Sequence, residues 1–109
     1  MPVKLQRIRT VSAGPLFPLM VARPHDVLYQ YQDLYHAHPG FLRRDTVIDR
    51  EARTYALVLV MDTVAHAKAL HALLSDMSVP EVKAYEETIA ATAVGVGTVY
   101  EVSWRLTAS

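Results

Sequence analysis

The sequence predicts a single α+β domain built on a four-stranded antiparallel sheet, and three features carry that expectation. A helical stretch stops at Pro39-Gly40 in the run HAHPGF. Two β-like runs follow, joined by the short polar turn Arg50–Arg53. The run TVAHAKALHALL then starts a second helix at once, its spacing changing from period two to period 3.6.

Taken in order, Val3 to Val11 (VKLQRIRTV) is a strand candidate, with Val3 and Leu5 in one phase and Ile8 in the other. The next segment holds Pro15, Pro18 and Pro24, which forbid a helix and leave a loop or an edge strand around Leu19 to Ala22. Either piece can serve as the first strand of the core. From Pro24 the pattern is helical: Val27, Leu28, Tyr31, Leu34 and Tyr35 share one face, and Asp26 suits the positive end of the dipole.

Phe41 to Asp49 alternates as a strand. Thr54 to Met61 (TYALVLVM) is apolar on both faces, with Tyr55, Leu57, Leu59 and Met61 on one and Ala56, Val58 and Val60 on the other. An antiparallel strand with one solvated face would alternate with polar residues, so a second cover is expected, most economically another copy of the chain. Asp62 or Thr63 caps a helix that turns Val64, Ala67, Leu70 and Leu74 inward. After a break at Met77 to Pro80, Val82, Tyr85 and Ile89 mark a third helix that ends by Gly95 and Gly97. Thr98 to Trp104 is the last strand. The order is βαββα(α)β, that of a ferredoxin-like domain, with residues 1–18 as N-terminal strand and Pro-rich loop and 19–104 as core.

At 109 residues the chain fits one domain. Hydrophobic residues reach 51% against 20% charged, which leaves apolar surface for a homodimer contact. A formal net charge of zero gives no footprint for nucleic acid or an anionic membrane, and no apolar run is long enough to span one. With no cysteine, disulfides, thiolate catalysis and Cys-bound zinc are excluded. Lys4, Arg7 and Arg9 ahead of the apolar stretch Val11 to Ala22 look like a signal peptide. Gly14, Pro15 and Pro18 interrupt that stretch, and Met20 spoils the small-x-small cleavage pattern, so a cytoplasmic protein is expected.

HPGF closing the first helix, and MDTVAHAKALHALLSD following the third strand, resemble the dimeric α+β barrel superfamily. Within it the chain looks most like the antibiotic biosynthesis monooxygenase family of small cofactor-free oxygenases, over roughly residues 19 to 104. The resemblance implies a barrel of two sheets, a homodimer, no cofactor and an aromatic or polyketide-like substrate. Many relatives carry a Trp where this chain has Met61-Asp62, and members with known oxygenase activity often use an Asn, a residue this chain lacks. Where haem-degrading relatives place a histidine the chain has Ala84-Tyr85, which points away from haem degradation.

Five histidines are candidates for chemistry. His36 and His38 have a spacing that metals use, but a third ligand is not nominated, and capping of the helix C-terminus fits as well, so no metal is expected. His66 and His71 are about 140° apart around a helix and cannot share a ligand. His71 is the candidate base, or a half-buried structural histidine. Tyr31, Tyr35, Tyr85 and Trp104 fall on inward faces, where they either pack the core or line a ligand site, with Tyr85 as a possible acid–base partner of His71. Arg43 and Arg44 point to opposite faces of the second strand; either one of them holds an anionic oxygen or the two pair on the surface with Asp45, Asp49 or Glu101, and Glu86 and Glu87 are expected in solvent. The resemblance implies a cofactor-independent monooxygenase. The alternatives are a cyclase or isomerase on the same fold, or a non-catalytic dimeric binding or stress-associated protein.

Overall fold

The computed structural model describes residues 2–11, 26–49, 51–95 and 100–108. The alternative first strand at Leu19 to Ala22, His25, Arg50, Gly97 and Thr98 lie outside the described residues. Seven elements follow in order: β1 (Val3–Val11), α1 (Asp26–His36), β2 (Phe41–Asp49), β3 (Thr54–Met61), α2 (Val64–Leu74), α3 (Pro80–Gly95) and β4 (Tyr100–Ala108). The strands form one antiparallel sheet in the order β2-β3-β1-β4, which is the ferredoxin-like arrangement.

Val3–Val11 is therefore a core strand, hydrogen-bonded on both sides. Leu5 lies between Leu59 of β3 and Leu106 of β4. β4 runs past Trp104 to Ala108 because Arg105 to Ala108 pair with Gln6 to Val3. That partner sits about a hundred residues upstream, so the polar tail gives no local sign of it.

The helices cover one face of the sheet. Tyr31 and Tyr35 of α1, Ala67, Leu70 and Leu74 of α2, and Val82 and Tyr85 of α3 pack on Val3, Leu5, Leu57, Leu59 and Met61. Burying an aliphatic side chain of this kind contributes roughly 1.5–3 kcal/mol. Thr63 caps α2, its Oγ1 accepting from the His66 N–H at 3.2 Å. Val64, expected inward, is 46% exposed. Ala67, Leu70 and Leu74 define the buried stripe, and at 100° per residue Val64 stands about 90° from its centre.

Two turns fix the strand ends. Asp49 Oδ1 accepts from the N–H groups of Glu51 and Ala52, both at 3.0 Å, and Arg53 takes the left-handed conformation at φ 55°. After α1, Gly40 adopts φ 83°, and a Cβ there would run into Asp62 Oδ1 and the His66 ring. Glycine is required at that corner on both counts.

On the other face of the sheet, Ala56, Val58 and Val60 are already buried within the chain. Their neighbours there are largely polar, with Val60 between Lys4 and Arg43 and Val58 between Gln6 and Asp45. Val47, opposite Ala56, is 54% exposed. No helix among the described residues is long and apolar enough to cross a membrane.

Candidate functional site

Strand alternation sends Val3, Leu5, Arg7 and Arg9 to the same face, the one covered by helices. Two arginines thus enter the interior, 3% and 0% exposed. Arg7 donates from Nη1 to the Tyr31 hydroxyl at 2.8 Å and from Nη2 to the Tyr85 hydroxyl at 2.6 Å. The two phenol rings stack at 4.2 Å with 19° between their planes, and the guanidinium lies 5.2 and 4.8 Å from their centroids. Arg9 pairs with Glu86 at 3.0 Å and stands 5.4 Å from the Tyr85 ring. Glu86, expected in solvent, is the partner of a fully buried cation.

Sequence reasoning missed both arginines by grouping them with Lys4 as a charged leader. The phase of β1 carries the signal, because the row that contains Val3 and Leu5 contains them too. Burial works against the charge on Arg7, but Tyr85, Tyr31 and Glu86 outweigh it and hold the guanidinium above its ordinary value. Burial also raises the Tyr31 phenol despite the opposing pull of Arg7. Tyr35 is pushed up to about 12 by burial, so neither of these two phenols is a base near neutrality. Tyr35 meets Tyr31 edge to face at 6.2 Å and also packs against Phe41 and His36.

A second feature lies beside this cluster, where α2 crosses β1 and β4. It is a groove of about 270 Å³, open on one side, lined by Leu5, Ala67, Lys68, His71, Trp104, Arg105 and Leu106. His71 and Trp104 are in ring contact at 4.6 Å and 38°. The groove has an apolar floor, one indole face, one imidazole and the Lys68 cation, while Arg105, opposite Gln6 in the register, has its side chain in the phase of the other sheet face. Indole, imidazole and ammonium together suit a flat molecule with an acidic oxygen. Trp104 is directly opposite Arg7 in the β1–β4 register, so groove and arginine cluster adjoin across one strand pair.

The structure thus gathers the candidate residues into two neighbouring groups, His71 with Trp104 and Tyr31 with Tyr35 and Tyr85. Tyr85 does not line the groove, and its hydroxyl is held by Arg7 rather than placed against His71. Arg43 is separate from both, exposed and bonded to Asp45 at 3.1 Å. His36 lies against Tyr35 and Phe41, and His38 donates from Nδ1 to the Pro39 carbonyl at 2.9 Å. His66 donates from Nδ1 to Asp62 at 2.7 Å, an i,i+4 pair that holds the Asp62 carboxyl below its usual range. Among the described residues, no three of His, Asp and Glu come together in a way that could hold a metal ion.

No protein-family model matches the sequence, and no curated protein matches it either. Solved structures do resemble it. A dimeric ferredoxin-like protein from an uncultured marine organism superposes with a TM-score of 0.57 at 12% identity, over 100% of this chain and 96% of that one. Rv0793 from Mycobacterium tuberculosis gives 0.51 at 10% identity, over 100% and 95%. SnoaB, a cofactor-independent oxygenase from Streptomyces nogalater, gives 0.50 at 16% identity, over 99% and 92%. At these identities the likeness establishes the architecture: the chain has the ferredoxin-like fold shared by a dimeric protein and a cofactor-independent oxygenase.

Proposed function

We propose that the protein is a small-molecule enzyme, a cofactor-independent monooxygenase whose substrate is an aromatic or polyketide-like molecule with an ionisable oxygen. The observation that carries this reading is the groove that sets His71 against Trp104 beside Lys68 above an apolar floor. In this reading the ring lies on the Trp104 indole, His71 takes the acidic proton, and Lys68 favours the anion that forms. The delocalised carbanion then reduces oxygen. A ring methylene becomes a carbonyl, one atom of O₂ enters the product, the other leaves as water, and all the electrons come from the substrate. The groove's volume suits one or two rings, with a larger molecule extending through the open side.

The assay is oxygen uptake with a reduced anthrone-type phenol. Uptake of one O₂ per substrate, strongly reduced in His71→Ala, is expected; equal rates for wild type and variant would sink the role given to His71. A non-catalytic ligand-binding protein is the second reading. It is favoured by the Tyr85 hydroxyl, which is committed to Arg7 and leaves His71 without a phenolic acid–base partner. A cyclase or isomerase working through a His71–Tyr85 pair fits this placement less well.

The working unit in this proposal is a homodimer joined sheet to sheet. Val47, 54% exposed beside Ala56 on the face away from the helices, and the dimeric protein of the same fold both support that arrangement.

A further inference from the structure

β4 is an edge strand. It pairs with β1 on one side, and among the described residues no strand lies along the other. Its nine residues of extended backbone present the N–H and C=O groups of alternate residues along that edge, a template for another strand. The opposite edge, β2, is guarded against such pairing. A bulge falls between Phe41 and Arg43, and the strand carries Arg43, Arg44, Asp45 and Asp49. β4 has no proline, only two charged residues, and a register with β1 that runs unbroken from Tyr100 to Ala108. On the helix side it lines up Val102, Trp104 and Leu106. Val102 and Leu106 are 42% and 37% exposed, so the protein's own helices leave this apolar row half covered.

The strand is complementary to itself. Two copies set antiparallel about a two-fold axis at Ser103 bring Trp104 opposite the partner's Val102 on the helix side. On the other side they bring Arg105 opposite the partner's Glu101. Each match occurs twice, once on either side of the axis. Opposite charges directly across an antiparallel pair stabilise it, and like charges destabilise it. An axis at Trp104 would set both charged residues against Ser103 or Thr107, and an axis at Arg105 would set arginine against arginine. Ser103 is the one centre that matches the two opposite charges.

We propose that β4 pairs edge to edge with the β4 of a second copy, antiparallel about a two-fold axis at Ser103. On the side of β4 away from β1, the partner's Val102 then stands beside Trp104, so each groove takes a wall residue from the other copy. The pairing rests on the homodimer proposed above and adds a seam to it; it is independent of the chemistry assigned to the groove. Twisted sheets curl, so one two-fold axis serves both the face contact and this seam.

The chain has no cysteine, so disulfide trapping reads the seam directly. Directly opposite residues of an antiparallel pair have Cα atoms about 4.5–5.5 Å apart, within reach of a disulfide, whereas packed sheet faces lie about 10 Å apart and are out of reach. Ser103→Cys, oxidised with glutathione disulfide, should run as a covalent dimer of the 12.2 kDa chain and revert on reduction. Thr107→Cys, whose two copies would stand about 27 Å apart along the seam, should run as a single chain. Independently, Arg105→Glu should weaken dimerisation about tenfold in analytical ultracentrifugation, and adding Glu101→Arg should restore it to within about threefold. Circular dichroism checks that each variant is folded. A dimeric protein with no cross-link through Ser103→Cys, equal cross-linking through Thr107→Cys, or a charge reversal that the second reversal does not rescue overturns the seam and leaves the sheet-to-sheet homodimer standing. A wild-type chain that stays at 12.2 kDa at every concentration removes both.

Discussion

Replacing Tyr31 and Tyr85 together by phenylalanine strips both hydrogen-bond partners from a guanidinium that is 3% exposed. A hydrogen bond to a buried charged group is worth about 1.5–3 kcal/mol. The hydroxyl hydrogens that lack acceptors are lost with the oxygens, which offsets part of this, so about 1–2 kcal/mol is expected for each single variant. The two sites share Arg7 and so couple, because the second substitution removes the last side-chain partner of the guanidinium; the double variant should lose at least the sum of the two, about 2–4 kcal/mol, a large share of a small domain's stability. Adding Arg7→Met to the double variant removes the stranded charge as well. Replacing a whole buried polar set by apolar groups of similar volume is often neutral or stabilising, so the triple variant should recover most of the loss. Urea unfolding, followed by circular dichroism with the slope checked for constancy, measures all three. A double variant as stable as wild type, or a triple variant less stable than the double, would refute the view of this cluster as an interdependent buried unit.

Gly40→Ala meets a left-handed backbone, at a cost of about 1–2 kcal/mol, and also displaces the Asp62 carboxylate and His66 ring. Its melting temperature, read by calorimetry, should fall by at least roughly 4–8 °C, and an unchanged value would contradict the close approach at this corner. Tyr35 holds its proton up to about 12 against a usual 10.0, so its stabilising contribution is complete below pH 10 and drains away between 10 and about 12. Urea midpoints should drop across that window, and Tyr35→Phe should flatten its part of the slope. At the acid end, Asp62 is lowered by its hydrogen bond to His66; its contribution is present above 3.8 and lost as pH falls below that value. Asp62→Asn should reduce the acid sensitivity of the midpoint. Val47→Glu places a charge on the exposed side of the sheet and should convert the proposed dimer, measured by light scattering, to a species of 12.2 kDa; an unchanged dimer mass would contradict an interface at Val47.

Much of the fold was legible because local patterns and tertiary structure agree. Pro39-Gly40 ends α1 where the chain must turn against Asp62, and the unbroken apolar run of β3 matches its place inside the sheet. Tyr31, Tyr35 and Tyr85 were readable as inward by helical period alone. Arg7 and Arg9 were not, since charged residues rarely point into a core unless paired, and their partners lie 24, 78 and 77 residues away. Glu86 was misread for the same reason, because its cation is on another element. The groove is also a tertiary product: His71 of α2 and Trp104 of β4 meet only once β4 pairs with β1.

Trp104 is the single tryptophan of the chain, and it forms a wall of the groove. Its fluorescence therefore reports directly on whether an ionisable aromatic molecule binds where the account places it. Titration with an anthrone-type phenol under nitrogen, at pH values either side of the phenol's ionisation, should quench Trp104 saturably and with higher affinity for the anion. Quenching that rises linearly without saturation, or that is equal for neutral and ionised phenol, would contradict the account.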